Sequence, residues 1–254
     1  MLGLSVAASL LVAACSSDGS PSGPEPEAQP PLNGTAFIDP DIITDADTTT
    51  FVSLVSMGQG SRMMFDRRAN DFVTLDAHLF DATFDDGLMA EIQVNPEFDS
   101  IAALAEAETY AEVIGRLPTV LRADVETVWI HAGEELFGGG NNNLLIHTEQ
   151  AAIYLNDGFL EEVLAHEAVH TSLDAAHAAS AGWLAAQEAD PVFISGYARD
   201  FPDREDLAEA FVPWFAVRHR SDRITTFLGS IITTAIPARL EYLDAQNFDL
   251  YPFN

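Results

Sequence analysis

Residues 164–174 read Leu164-Ala165-His166-Glu167-Ala168-Val169-His170-Thr171-Ser172-Leu173-Asp174. The stretch contains no Gly or Pro, and its two histidines stand four positions apart. On a helix, residues i and i+4 share a face about one turn apart, so both imidazoles can reach the same metal ion. Glu167 is close enough to touch a water on that ion without being a ligand. The stretch therefore predicts a helix that binds zinc through His166 and His170, with Glu167 as general base.

A catalytic zinc ion needs a third protein ligand and an open position. One known pattern places a third His six residues after the second, but that position is Ala176 here, and Leu173 replaces the Gly of that pattern. The other known solution is a carboxylate from a later helix. The segment Arg204-Glu205-Asp206-Leu207-Ala208-Glu209-Ala210-Phe211 favours a helix with two acids on one face. One acid can bind the ion while the other accepts the outer N–H of a ligand His, although a merely solvated helical face is the alternative.

Together these two segments resemble the gluzincin metallopeptidases, in particular those similar to anthrax lethal factor and to uncharacterised secreted bacterial metallopeptidases. These proteins place a Glu-x-x-x-Glu-Ala-Phe segment on the helix that follows HExxH. The resemblance implies that Glu205 binds zinc and that Glu209 supports a ligand from behind. It further implies that Tyr197 donates a hydrogen bond to the reaction's oxyanion and that Asp174 is a second supporting acid. Its motifs cover residues 160–215 and bear on fold and metal more than on substrate.

The order of secondary structure along the chain predicts the fold class. Strands are expected at residues 72–80, 90–94, 128–131 and 144–147, a helix from Asp99 or Ser100 to about 115, a loop at 138–143, and mostly helix after 158. Strands followed by helices indicate an α+β domain. With the resemblance, this becomes a zincin-like fold with an N-terminal mixed sheet and a mostly helical C-terminal half. The strand at 144–147 is either the edge strand beside a bound peptide or part of a surface hairpin.

The N-terminus predicts export and a lipid anchor. Residues 1–14 are uncharged and mostly apolar, too short to span a bilayer, and Leu11-Val12-Ala13-Ala14-Cys15 is similar to a bacterial lipobox. Cys15 is the only cysteine. We expect residues 1–15 to be a lipoprotein signal peptide, 16–47 a disordered Pro/Ser/Gly tether, and 48–254 the catalytic domain. A plain signal peptide or a short tail anchor are the alternatives. The expected location is the cell surface or the periplasm.

The charge of the chain excludes one class of partner. There are 40 Asp and Glu against 11 basic residues, all of them Arg, which gives a net charge of −29. Such a chain repels nucleic acid and anionic membranes, so we expect no nucleic-acid partner and membrane contact only through Cys15.

The sequence therefore predicts a secreted, lipid-anchored zinc metallopeptidase acting on a peptide or protein substrate. The alternative is a non-catalytic surface lipoprotein whose zinc is structural and has a fourth ligand such as His177. Glu167 favours the enzyme, because a structural zinc site does not need a base. The remaining histidines are expected to be structural or exposed: His78, His131, His147 and His219.

Overall fold

The computed structural model describes residues 28–35 and 41–253. Cys15, the signal peptide and residues 16–27 and 36–40 of the predicted tether lie outside these ranges. Across the described ranges, no helix is long and apolar enough to cross a membrane.

Six strands in the described chain form one mixed sheet in the order β1-β2-β3-β4-β6-β5. Their bounds are β1 Phe51–Asp66, β2 Asp71–Phe84, β3 Met89–Val94, β4 Thr127–His131, β5 Gly138–Gly140 and β6 Asn143–His147. The first three strands are antiparallel neighbours, and β3, β4 and β6 run parallel. The outer strand β5 is antiparallel to β6.

Helices make up most of the rest of the described chain. Their bounds are α1 Ser100–Gly115, α2 Thr119–Arg122, α3 Thr148–Asp157, α4 Leu160–Ser172, α5 Asp174–His177, α6 Ala181–Ala189, α7 Gly196–Asp200, α8 Asp206–His219, α9 Thr226–Ala235 and α10 Pro237–Asp244. The combination of a mixed sheet with a mostly helical C-terminal half is compatible with the predicted α+β class.

Local sequence explains where several elements begin. The side chain of Asp99 accepts hydrogen bonds from the N–H groups of Ile101 and Ala102, which caps α1 as predicted. Helix α4 carries Glu161 in its first turn, paired with Arg116 at 3.0 Å, where negative charge interacts favourably with the helix dipole.

The predicted loop at 138–143 is partly wrong, because its three glycines form the edge strand β5. Glycine has a low strand propensity, so the local sequence favoured a loop, and pairing with β6 overrides that preference. The expectation that residues 144–147 form the edge of the sheet is also wrong. The alternative of a hairpin is right in topology, since β6 pairs antiparallel with β5 across Asn141 and Asn142, but not in its placement at the surface. Strand β6 is buried at every position and lies between β4 and β5.

The described parts of the predicted tether lie against the domain. Ile42 and Ile43 are 0% and 3% exposed, and the Ile43 N–H donates to Oε1 of Glu162 at 2.9 Å. Further upstream, Leu32 forms a parallel bridge to Ser195. The packed part of the chain therefore begins before residue 48, where the domain was predicted to start.

Glu162 lies in the first turn of α4 and should make folding stability depend on pH. Burial raises the pKa of Glu162 to about 8 from 4.5, although the Ile43 N–H favours the charged form and Glu161 opposes it. Between those two pH values the folded protein holds a proton that the unfolded chain has released. The contribution of Glu162 to the free energy of unfolding is therefore greatest at low pH and is lost as the pH rises from about 4.5 toward 8.

We expect Glu162→Gln to remove this dependence. The free energy of unfolding of the variant, minus that of the unsubstituted protein, should grow by on the order of 3 kcal/mol between pH 5 and pH 8. Denaturant unfolding at both pH values measures it, and subtraction cancels the other titrating groups. Glu108→Gln, an exposed position on α1, is the control. A difference for Glu162→Gln that stays constant with pH would show that the carboxyl is ionised in the folded state.

Candidate metal centre

His166, His170 and Glu205 form a cluster that could hold a metal ion. One potential ligand atom from each lies within 4.8 Å of the others. The two histidines come from α4, and Glu205 occupies the N-cap position of α8, with its side chain directed to the cluster and not to the helix N–H groups. His166 and Glu205 are buried, and His170 is half-buried. Helices α4 and α8 pack directly on each other, which brings these distant sequence segments together.

The spacing within the cluster suits a tetrahedral ion. Oε2 of Glu205 is 3.5 Å from Nε2 of His166 and 3.2 Å from Nε2 of His170. Tetrahedral zinc with bonds of about 2.1 Å separates its ligand atoms by roughly 3.4 Å. Two imidazole nitrogens and one carboxylate oxygen are also a donor set that zinc accepts in catalytic sites. The donors therefore fit zinc in kind and in separation.

Asp174 holds the second histidine. Its Oδ2 is 2.8 Å from Nδ1 of His170, one helical turn away, which leaves Nε2 to face Glu205. Burial lowers the pKa of His170, but hydrogen bonds to Asp174 and Glu205 outweigh it and raise the pKa to about 10. Burial has the opposite effect on Glu205 and raises its pKa, but the hydrogen bonds to His166 and His170 lower that pKa by a larger amount. A cation in the cluster would take the place of the proton that these groups share.

Glu209 and Ser195 stand behind the first histidine. Oε1 of Glu209 is 3.6 Å from Nδ1 of His166, on the ring side opposite Glu205. Ser195 donates from Oγ to Oε2 of Glu209 at 2.5 Å and accepts from the Ala198 N–H at 3.0 Å. At 3.6 Å the contact of Glu209 with His166 is an ion-pair distance, longer than a hydrogen bond; a hydrogen bond from this side would fix the tautomer and orientation of a metal-binding imidazole. The sequence singled out Glu209 but gave no signal for Ser195, which is remote along the chain.

Three groups hold the Glu205 end of the cluster. Its Oε1 accepts from the Tyr197 hydroxyl at 3.1 Å and from Arg204 at 3.0 Å. The next residue, Asp206, accepts at 2.8 Å from the fully buried Arg239 of α10. Burial and the Glu205 carboxylate raise the pKa of Tyr197, so its hydroxyl remains a donor at neutral pH.

Glu167 lies in a cleft of about 880 Å³ that also contains the cluster. Its carboxylate is half-buried, so one part of it is open to water in the cleft. On one side of the cleft lies β5, where a Cβ at Gly139 would overlap the carbonyl oxygen of Glu167. Tyr197, Arg204 and Glu205 also line the cleft.

The other histidines lie apart from this cluster. Nδ1 of His177 is 2.7 Å from the Tyr242 hydroxyl, so its ring is turned toward α10. His131 and His147 are fully buried in the sheet, with ring centroids 5.5 Å apart, and burial lowers the pKa of both. No fourth ligand from His177 joins the cluster in the described structure.

Comparisons of this chain with protein-family models, with curated proteins and with solved structures find no match. The case for a function therefore depends on the chemistry and geometry of the site.

Proposed function

We propose that this protein is a zinc-dependent metallopeptidase of the gluzincin type with a zincin-like fold. One observation carries the proposal: His166, His170 and Glu205 converge in a cleft that also presents the carboxylate of Glu167. Glu167 is adjacent to a ligand in sequence, outside the ligand group and open to water. Export and a lipid anchor at Cys15 are part of the same proposal and come from the sequence.

In this proposal each residue has a separate task. Zinc, when bound by His166, His170 and Glu205, supplies Lewis-acid polarisation and lowers the pKa of water. Glu167 accepts a proton from the attacking water and returns it to the leaving amine. Tyr197 donates a hydrogen bond where negative charge develops on the substrate oxygen. Asp174 and Glu209 keep the two imidazoles oriented.

The edge strand supports a peptide as substrate. Strand β5 is the outermost strand of the sheet and contacts α4 directly beside Glu167. An extended peptide can add to a free strand edge through backbone hydrogen bonds. The scissile amide would then lie over the cleft, within reach of the base.

The alternative of a non-catalytic lipoprotein with structural zinc has less support. A structural zinc site has four protein ligands, whereas three potential ligands converge in the described chain. His177, the fourth ligand considered from sequence, hydrogen-bonds to Tyr242 instead.

The proposal is tested by zinc analysis combined with digestion of a peptide library. We expect one zinc ion per chain, peptide cleavage that a chelator abolishes, and recovery of cleavage when zinc is restored. Stoichiometric zinc without cleavage of any peptide would favour the structural-zinc alternative. Cleavage that persists in excess chelator would contradict a zinc mechanism.

Tyr197→Phe should separate catalysis from binding. Loss of an oxyanion donor lowers kcat by on the order of 10², and in zinc-saturated protein, where the lost contact to Glu205 does not limit metal occupancy, we expect KM to change little. Steady-state kinetics on one cleaved peptide measures this. Tyr242→Phe, which removes a hydroxyl outside the cleft, is the matched control. Equal effects of the two substitutions would remove Tyr197 from the mechanism.

A further inference from the structure

Arg67 differs from every other basic residue of the described chain. All eleven basic residues are arginines between positions 62 and 239. Ten of them lie within 4.0 Å of a described carboxylate oxygen, as follows: Arg62, Arg68, Arg116, Arg122, Arg199, Arg204, Arg218, Arg220, Arg223 and Arg239. Arg67 has no such partner among the described residues. In a chain of net charge −29, an arginine without a carboxylate is unexpected.

The position of Arg67 is in the cleft of the metal centre. It is the first residue of the turn between β1 and β2, and its side chain is half-buried in the cleft wall. Its neighbour Arg68 faces away and pairs with both Asp66 and Glu97. The two adjacent arginines therefore differ in environment: Arg68 has two carboxylate partners, and Arg67 faces the site.

Local contacts fix the position of the Arg67 guanidinium but do not use all of its N–H donors. One Nη of Arg67 donates to the Phe137 carbonyl at 2.8 Å, directly before β5. Gly138 provides the space, since a Cβ there would be 2.9 Å from the same Nη. The Nε atom is buried and has no hydrogen-bond partner within the described structure. An arginine has five N–H donors. Because the Phe137 carbonyl uses one of them, the guanidinium of Arg67 still has donors with which to bind an anion.

The neighbours of Arg67 connect it to the reacting end of the cleft. The Tyr154 ring packs edge-on against Phe137, with centroids 5.2 Å apart. Burial and Glu167 raise the pKa of Tyr154, and Arg67 lowers it, so this ring lies in the field of both charges. A substrate over Glu167 would thus extend past Tyr154 toward Arg67.

We propose that Arg67 binds a carboxylate of the substrate and makes the enzyme selective for peptides that carry one near the cleaved bond. The inference rests on the proposed peptidase function. Planar guanidinium and carboxylate groups form paired, charge-assisted hydrogen bonds. The carboxylate is either an Asp or Glu side chain or the free C-terminus of a short peptide. Because the protein as a whole repels acidic peptides, recognition of them requires a local cation of this kind.

Binding in a cleavage-deficient background tests the inference. The probes are labelled peptides of one sequence: neutral with an amidated C-terminus, neutral with a free C-terminus, and amidated with Glu at successive positions. Fluorescence anisotropy with zinc-loaded Glu167→Gln protein should show about tenfold tighter binding for one carboxylate-bearing class, as expected for a charge-assisted hydrogen bond. The peptide class that binds more tightly shows whether the recognised carboxylate is a side chain or the free C-terminus.

Adding Arg67→Gln should abolish that preference and leave binding of the neutral amidated peptide unchanged. Arg223→Gln, an equal charge change outside the cleft, should retain the preference. Arg67→Lys keeps the charge without the paired donors and should retain part of it, which also covers the case in which Arg67→Gln does not fold. Equal binding of all peptides, or equal losses from Arg67→Gln and Arg223→Gln, would overturn the inference.

The two proposals can fail separately. Preferential binding of carboxylate peptides without cleavage by the unsubstituted, zinc-loaded protein would reject the peptidase and keep the role of Arg67. Cleavage of all three peptide classes, with and without a carboxylate, at equal rates would reject the role of Arg67 and keep the peptidase.

Discussion

Glu167→Gln should lower kcat/KM for peptide cleavage by about 10³ while the protein still binds one zinc ion. Glutamine has nearly the same shape as glutamate but cannot accept a proton at neutral pH. The side chain lies outside the ligand group formed by His166, His170 and Glu205, so zinc affinity should hardly change. The loss should appear in kcat rather than KM, because the base acts in the transition state.

The measurement needs zinc analysis and kinetics on the same preparations. Glu108→Gln makes the same chemical change on the exposed side of α1 and should have full activity. Full activity in Glu167→Gln would remove the general base from the proposal. Loss of zinc together with activity would place Glu167 among the ligands instead.

Glu205→Gln should have the largest effect on the metal. Its Oε2 is the atom that both ligand imidazoles face, and a neutral amide is a much poorer zinc ligand. Structural zinc sites bind with about 10–16 kcal/mol in total, so loss of one of three ligands should weaken zinc binding on the order of 10³-fold. Competition against a chromophoric chelator measures the affinity.

Glu209→Gln is the matched comparison, since it makes the same change on the same helix. Glu209 contacts His166 from the opposite side of the ring, and loss of such an outer partner costs about 10–100-fold in metal affinity. The order of the two effects is the test. A greater loss from Glu209→Gln than from Glu205→Gln would exchange their roles.

Sequence spacing predicted the histidine pair of the cluster because its geometry is local. His166 and His170 are one turn apart on α4, and no long-range information is needed to place them on one face. The two acids of α8 were identified in the same way. The structure adds a distinction, since Glu205 lies at the N-cap position just before α8 and Glu209 lies within the helix. The assignment of the nearer acid to the metal came from a resemblance, and the distances agree with it.

The parts that sequence could not predict depend on contacts between remote segments. Ser195 supports Glu209, and Arg239 holds the start of α8, through side chains that only the tertiary fold brings together. In the sequence, Arg67 cannot be distinguished from the other ten arginines, because only the structure shows that it has no carboxylate partner among the described residues. Strand β5 consists of glycines, so nothing in its composition indicates a strand.

Gly139 has a consequence for the motions of the cleft. Because no side chain fits between it and the Glu167 backbone, strand β5 and helix α4 are in direct backbone contact and should move as one body. Opening and closing then depend on the other lining segment, in which Tyr197 and Arg204 both contact Glu205. Widening the cleft would separate Glu205 from His166 and His170 of α4, so departure of the cleaved peptide and exchange of the metal should require the same movement.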